Sequence, residues 1–260
     1  MKIAYDGSAF HGQARQPGLR TVEGEVIHTL TTIRAIRDPR SARLQSASRT
    51  DRGVSALGNV VAFDTTHAPH AAVRAFNARA RDVWAWAAAG VPEDFSARRA
   101  RERWYRYRLP GEHNVRALDA ALQVFQGGHD FRNFTRDRAR TLAEIDVARA
   151  LKDGDAVALD FKAPSFRWNL VRRLVAASLR VESGDASIAD LRRALTEPVR
   201  VDLGLAPPEP LVLMDVAYDL ELEPVLDPTT TARLRRILED RTRGGRLLGE
   251  ILGKFSSGTP

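Results

Sequence analysis

Short apolar runs and helical stripes alternate along this chain, and their order sets the first expectation. Residues 2–6 read as a strand. Thr21 stands where it can cap a helix whose apolar residues, Val22, Val26, Ile27, Leu30 and Ile33, form one stripe. Residues 44–47 and 59–64 read as strands, 71–80 as a weaker helix and 82–89 as a strand. This β-α-β-β-α-β order is the ferredoxin-like unit. It then recurs. Residues 104–109 read as a strand, and Val115, Leu118, Leu122 and Phe125 mark a helix. Residues 142–150 and 156–162 are expected to pair as strands around Lys152-Asp153-Gly154. Leu170, Val171, Leu174, Val175 and Leu179 mark another helix, 188–195 an extra one, and 211–218 the last strand. The repeat is one of element order, not of sequence. The expected fold is α+β, with ferredoxin-like halves at 1–97 and 98–222.

From about Leu222 the pattern changes. Pro224, Pro228 and three threonines lead into residues 232–253, where Leu234, Ile237 and Leu238, then Leu247, Leu248, Ile251 and Leu252, fall at helical spacing. Gly244-Gly245 is expected to interrupt this helix, because glycine costs about 1 kcal/mol against alanine there. Arg233, Arg235, Arg236, Arg241, Arg243 and Arg246 decorate the segment. Residues 223–260 therefore read as an Arg-rich helical tail, either lying on RNA or presenting a solvated basic face.

Composition narrows the function classes. A chain of 260 residues suits two domains. No stretch approaches the roughly 18 consecutive apolar residues of a membrane span, and MKIAYDGSAF lacks the apolar centre of a secretory signal. A cytoplasmic protein is the expectation. The absence of cysteine excludes disulfides, thiolate nucleophiles and Cys-ligated zinc. A net charge of +7 and a pI near 10.3 favour a polyanionic partner, nucleic acid ahead of membrane. Of 40 basic residues 36 are Arg, a skew that a GC-rich genome also produces. There is no P-loop, dinucleotide fingerprint or HExxH. The histidines are scattered; His67 and His70 have an i, i+3 spacing, but Pro69 argues against a helix there, so no metal site is expected. The chemistry must then rest on carboxylate, Tyr, Arg or Ser.

Three stretches offer such groups. In SASRTDRGVSALG (46–58), Asp51 stands between Arg49 and Arg52 among small residues. TDRG is a plausible turn, in which the Asp bonds local amides; the flanking guanidinium groups also make it a site candidate. In RRARERWYRYRLP (98–110), Arg103, Tyr105 and Tyr107 share one face of a strand, and Trp104, Arg106 and Arg108 the other. A base-stacking strand and an ordinary half-buried strand both show this alternation. Arg172 lies at the margin of its helical stripe, where it either snorkels to solvent or reaches a buried carboxylate.

Read together, these stretches resemble the tRNA pseudouridine synthases of the TruA type over residues 2–219. The resemblance is carried by YDGSAFHGQARQP (5–17), SRTDRGVSALGNVVAFDT (48–65), FNAR (76–79), EDFSAR (93–98), RWYRYRL (103–109), DFRNF (130–134), FRWNLVRRLV (166–175) and LVLMDVAY (211–218), in family order. It implies two ferredoxin-like halves sharing a mixed or antiparallel sheet, helices on one side and a basic RNA-binding cleft. It implies a homodimer that binds tRNA across both subunits. The implied reaction is isomerisation of uridine to pseudouridine in the anticodon stem-loop, at tRNA positions 38–40, without metal or organic cofactor.

Asp51 falls on the family's catalytic aspartate, Tyr105 on its active-site tyrosine and Arg172 on the arginine paired with that aspartate. Arg49 falls on the R-T-D arginine that braces the loop or touches the flipped nucleotide. Arg52, together with Arg103 and Tyr107 on the face of Tyr105, is expected to bind substrate. The chain departs from the common pattern at Gln13, Ser48, Arg52, Ser55, Arg173 and Ala176, where Trp, Gly, Ala, His, Asn and Gly are usual. The S-R-T-D-R-G-V-S-A spelling resembles the family's archaeal branch. Two rival readings are a non-catalytic RNA-binding module and a carboxylate-dependent glycosylase that releases the base.

Overall fold

The computed structural model describes the backbone of residues 1–256 and the side chains of residues 1–243. Arg246 and the expected stripe of Leu247, Leu248, Ile251 and Leu252 lie outside the described side chains. The first half runs β1 (Lys2–Tyr5), α1 (Val22–Thr32), β2 (Gln45–Ser46), β3 (Ser55–Ala62), α2 (Pro69–Asn77) and β4 (Val83–Ala88). The second half begins with β5 (Glu102–Leu109) and α3 (Val115–Gln123), then a separate two-stranded ribbon of β6 (Gly127–Asp130) and β7 (Leu142–Ile145). It continues with β8 (Val147–Asp153), β9 (Ala156–Ala163), α4 (Leu170–Ser183), α5 (Ile188–Thr196) and β10 (Leu211–Ala217). An edge strand β11 (Glu223–Pro224) and a long helix α6 (Pro228–Ser256) follow.

One mixed sheet runs through both halves in the order β11-β4-β1-β3-β10-β5-β9-β8, with β2 also paired to β3. Each half keeps the same internal order, β4-β1-β3-β2 and β10-β5-β9-β8, built from antiparallel pairs. The seam is the parallel pair β3–β10, where Ser55 and Ala56 meet Val212 and Leu213. That seam exists because β2 is so short. It pairs only Gln45 with Ala62 and Ser46 with Val61, which leaves the first residues of β3 an open edge. Unpaired backbone groups in the interior are costly, and β10 satisfies them. Val22, Val26 and Leu30 of α1 and Val73 and Phe76 of α2 bury against the first half; Leu118, Leu122, Leu170, Leu174 and Leu191 join Phe125, Phe131, Phe134 and Phe161 in the second.

Most elements lie where the apolar pattern predicts, and the differences have physical causes. Strand β3 begins at Ser55 rather than at residue 59, because pairing on both sides overrides the low strand propensity of its small residues. The expected strand 142–150 divides at Asp146: β7 pairs with β6, and β8 pairs with β9. Pro69 opens α2, a position where its missing N–H leaves no bond unmade. Helix α6 starts at Pro228, with Asp227 Oδ1 accepting from the Thr230 N–H at 3.1 Å, and passes through Gly244-Gly245 without a break. No helix among the described residues is long and apolar enough to cross a membrane.

The seam requires close approach at Gly58. A Cβ there would stand 2.6 Å from Asp215 Oδ1 and 2.8 Å from the Met214 carbonyl oxygen, on the neighbouring β10. Forcing side-chain atoms into such a contact typically costs about 1–3 kcal/mol. Gly58→Ala is therefore expected to lower the unfolding free energy by that amount in chemical denaturation. Gly90→Ala, where a Cβ meets nothing within 4 Å, serves as the control and should change it by less than about 0.5 kcal/mol.

Candidate active site

Between β2 and β3 the chain leaves the sheet as a loop, residues 47–54, beside the seam. Buried side chains hold this loop from three directions. Asn59 of β3, fully buried, donates from Nδ2 to the Ser48 carbonyl (2.9 Å) and accepts at Oδ1 from the Ser48 and Val60 N–H groups (3.2 and 2.9 Å). The same Nδ2 donates to the Tyr5 hydroxyl (3.2 Å), which shares a 2.9 Å bond with Thr50 Oγ1. The opening loop after β1 adds the Gln13 N–H, 3.0 Å from the Thr50 carbonyl, and the Gln13 amide, donating to Ser46 Oγ at 2.8 Å.

The third support comes from the other half. Arg103, at the start of β5, donates from Nε to Ser48 Oγ (3.0 Å). One terminal nitrogen donates to the Ala47 and Arg98 carbonyls (2.8 and 3.0 Å), and the other to the Pro164 carbonyl. Burial pulls this guanidinium below its ordinary pKa. No carboxylate pairs with it among the described residues; carbonyl and hydroxyl oxygens balance its charge.

Held this way, the loop turns at Asp51. The Val54 N–H donates to the Asp51 carbonyl (3.1 Å), and Gly53 takes φ +85°, which a side chain would strain. The Asp51 carboxylate then crosses to α4 of the second half. Its Oδ2 accepts from Arg172 Nη1 at 2.9 Å and from Asn169 Nδ2 at 2.5 Å. Arg172 is fixed in turn: Nε donates to the Ala206 carbonyl at 2.8 Å, and the Ala206 N–H donates back to the Arg172 carbonyl at 3.1 Å. The alternative in which Arg172 snorkels to solvent is not what the fold adopts; its side chain is 13% exposed. Asp51 Oδ1 makes no hydrogen bond among the described residues. One oxygen of the carboxylate is anchored and the other is unengaged.

Tyr105 lies on β5, buried, with its ring edge-to-face with Phe166 at 5.1 Å between centroids. Burial, above all, pushes its hydroxyl pKa well above the usual phenol range. The Asp51 charge lies close enough to add to that rise, so Asp51, Tyr105 and Arg172 meet from a loop, a strand and a helix. Arg49 and Arg52 are exposed on either side of Asp51, and among the described residues neither guanidinium has a protein partner. Arg103 and Tyr107, expected to bind substrate, are 7% and 2% exposed. Alternation correctly put them on the face of Tyr105, but that face is the buried one, and Arg103 braces the loop instead. Among the described residues no group of three or more His, Asp or Glu side chains is placed to hold a metal ion.

Two asparagines escaped the reading of the sequence. Asn59 had a signal: an amide inside the apolar run NVVAF, where strands seldom place one. Asn169 reads as an ordinary helix cap, yet it does not cap. It sits at φ +62° with its amide nitrogen turned to Asp51 and its buried Oδ1 without a partner. An unmet buried acceptor costs about 1–3 kcal/mol. This local penalty accompanies one polar contact, the one to Asp51.

The family model described as tRNA pseudouridine synthase matches residues 121–219. The chain is 43% identical over 223 residues to tRNA pseudouridine synthase A of Thermococcus sibiricus, covering 84% of each chain. It is 40% identical over 262 residues to the protein of that name from Methanococcoides burtonii, covering 97% of this chain and 94% of the relative. For that of Pyrococcus abyssi the identity is 39% over 256 residues, with 96% and 95% covered.

Two expectations follow from the loop supports. Arg103→Lys keeps the charge, but one ammonium cannot reach the oxygens that the guanidinium fork reaches. Leaving a buried acceptor unmet costs about 1–3 kcal/mol, so chemical denaturation should show a loss of at least about 2 kcal/mol. Burial raises all four tyrosines, 5, 105, 107 and 218, above the ordinary value of 10.0, Tyr5 to about 12. A raised pKa in the fold means that the protonated hydroxyls stabilise it fully below pH 10, and that this contribution fades as pH rises through about 12. Tyrosinate absorbance should therefore stay flat past pH 10 and appear with unfolding. A titration centred at the ordinary value in folded protein would disprove it.

Proposed function

The chain belongs to the tRNA pseudouridine synthase A family, and from that premise we propose that it modifies the anticodon stem-loop of tRNA, at positions 38–40, with Asp51 as the reacting carboxylate. Enzymes of this family isomerise uridine: the N1–C1′ bond breaks, the uracil turns, and C5 bonds to C1′. A proton leaves C5 and N1 gains one, so atoms balance and nothing is consumed. The observation that carries the assignment is the Asp51 carboxylate, tied through Oδ2 to Arg172 and Asn169 across the seam, with Oδ1 free.

The target base must first leave its stack, at a cost of a few kcal/mol. Arg49 and Arg52 are exposed beside Asp51 and suit the phosphates of the distorted strand. Oδ1 then meets the ribose, either adding to C1′ or drawing off the 2′ proton; both routes use the same oxygen. The Arg172 guanidinium holds the carboxylate's charge in place through a charge-assisted bond. Tyr105 lies within the same site and suits contact with the uracil. Because burial keeps its hydroxyl protonated, it takes up the C5 proton only while passing its own onward, as a relay rather than a resident base. All these steps draw on the chain's own groups. The net charge of +7 supports a polyanionic substrate, and the family resemblance supports a homodimer that holds tRNA across both subunits.

Incubation with an unmodified tRNA transcript, followed by chemical mapping, should place pseudouridine at positions 38–40; modification confined to other positions would move the site. RNA mass should stay unchanged, whereas base loss would favour the glycosylase. Asp51→Asn should retain tRNA binding and lose turnover by at least about 100-fold, the low end for removing a positioned acid–base group. Turnover near the wild-type rate would remove Asp51 from the reaction. Tyr105→Phe should lower turnover far more than affinity; equal losses would leave it a binding role alone.

A further inference from the structure

Directly before Asn169 stands Trp168, and nothing in the reaction as drawn uses it. Trp168 is 52% exposed, although an indole is among the largest apolar surfaces a chain can withdraw from water. Disorder does not explain this, because the backbone is pinned. The Trp168 carbonyl accepts from Thr135 Oγ1 (3.0 Å) and from the Arg136 N–H (3.1 Å), and its N–H donates to Asp137 Oδ2 (3.1 Å). The Arg136 guanidinium lies over the indole, 4.5 Å from the ring centroid. Arg136, Arg138 and Arg140 are all exposed, and among the described residues none has a carboxylate partner. A rigid, half-bare aromatic ring beside three unneutralised cations is the pairing that holds single-stranded nucleic acid: the ring stacks a base and the cations take phosphates.

Position narrows the occupant. Trp168 is one residue, about 3.8 Å between Cα atoms, from the asparagine bonded to Asp51. We propose that Trp168, with Arg136, Arg138 and Arg140, forms a second nucleotide subsite, which stacks an unpaired base next to the one at Asp51 and grips the adjoining phosphates. The subsite rests on the reading of this protein as a tRNA-modifying enzyme and adds how its substrate is held: the RNA must present two unstacked neighbours.

The test uses full-length protein and an unmodified tRNA transcript. Trp168→Ala should weaken binding by about 5- to 150-fold, the range for removing one base stack. Trp168→Phe keeps a ring and should stay within a few-fold of wild type. Wild-type tryptophan fluorescence should be quenched by the RNA, and most of that change should vanish in Trp168→Phe. Replacing the three arginines by Gln should flatten the log–log salt dependence of affinity by roughly 0.7 to 0.9 for each phosphate no longer gripped. Unchanged affinity in Trp168→Ala, or equal quenching in wild type and Trp168→Phe, overturns the proposal. Pseudouridine formation by wild-type protein is scored separately. If it fails, the enzymatic reading falls, whereas the subsite stands or falls on affinity and quenching.

Discussion

Strand β2 pairs with β3 at two positions only, and that early parting shapes the surroundings of Asp51. A longer β2 would close the first half upon itself. Its brevity leaves the start of β3 with unpaired backbone groups that the interior cannot tolerate, and β10 of the second half supplies the missing ladder. The same parting releases residues 47–54 as a loop at the junction. The seam that makes one sheet of two halves and the loop that carries Asp51 are consequences of one pairing constraint.

A loop at such a junction would be mobile without internal support, and its support is polar. Asn59, Tyr5 and Gln13 secure it from the first half, and Arg103 from the second. Polar groups in a low-dielectric interior bind strongly when every partner is present and cost heavily when one is missing. The loop is accordingly held in one arrangement rather than in several of similar energy. On the proposed reading this matters, because a carboxylate that reacts at a ribose must be placed to a fraction of an ångström. Arg172 and Asn169 complete the placement by engaging a single carboxylate oxygen, and the other oxygen makes no hydrogen bond among the described residues.

The distribution of charge follows the same division of labour. Arg103 and Arg172 are turned inward and committed to protein oxygens, whereas Arg49 and Arg52 remain in water beside Asp51. Arginine suits both tasks, since its planar fork can serve several acceptors at once or meet a phosphate edge-on. On the proposed reading the overall positive charge gathers RNA, and the arginines not committed to protein oxygens remain to hold it. Helix α6 illustrates the contrast. Arg233 donates to the Asn77 carbonyl and Arg241 to Asp6, so part of that basic tail ties the helix to the body of the protein.

Local pattern was enough for the two βαββαβ halves, because period-two and helical spacing reflect neighbours along the chain. Eight short stretches in order, SRTDRGVSALGNVVAFDT, RWYRYRL and FRWNLVRRLV among them, sufficed for the family. Local pattern misplaced the start of β3 and the division between β7 and β8, because in both cases a distant strand decides. It also left Arg172 between solvent and carboxylate, and Arg103 and Tyr107 between ligand and core. Periodicity says which residues share a face but not what covers that face. The unused cap at Asn169 had no local signature at all, since its partner is Asp51, far away in sequence. The chain by itself determined the elements and the charge, and its resemblance pointed to Asp51 and to Arg172 as its partner; only the tertiary structure decided that Asn169 shares that carboxylate and that Arg103 holds its loop, because a contact across the seam exists only once both halves have joined one sheet.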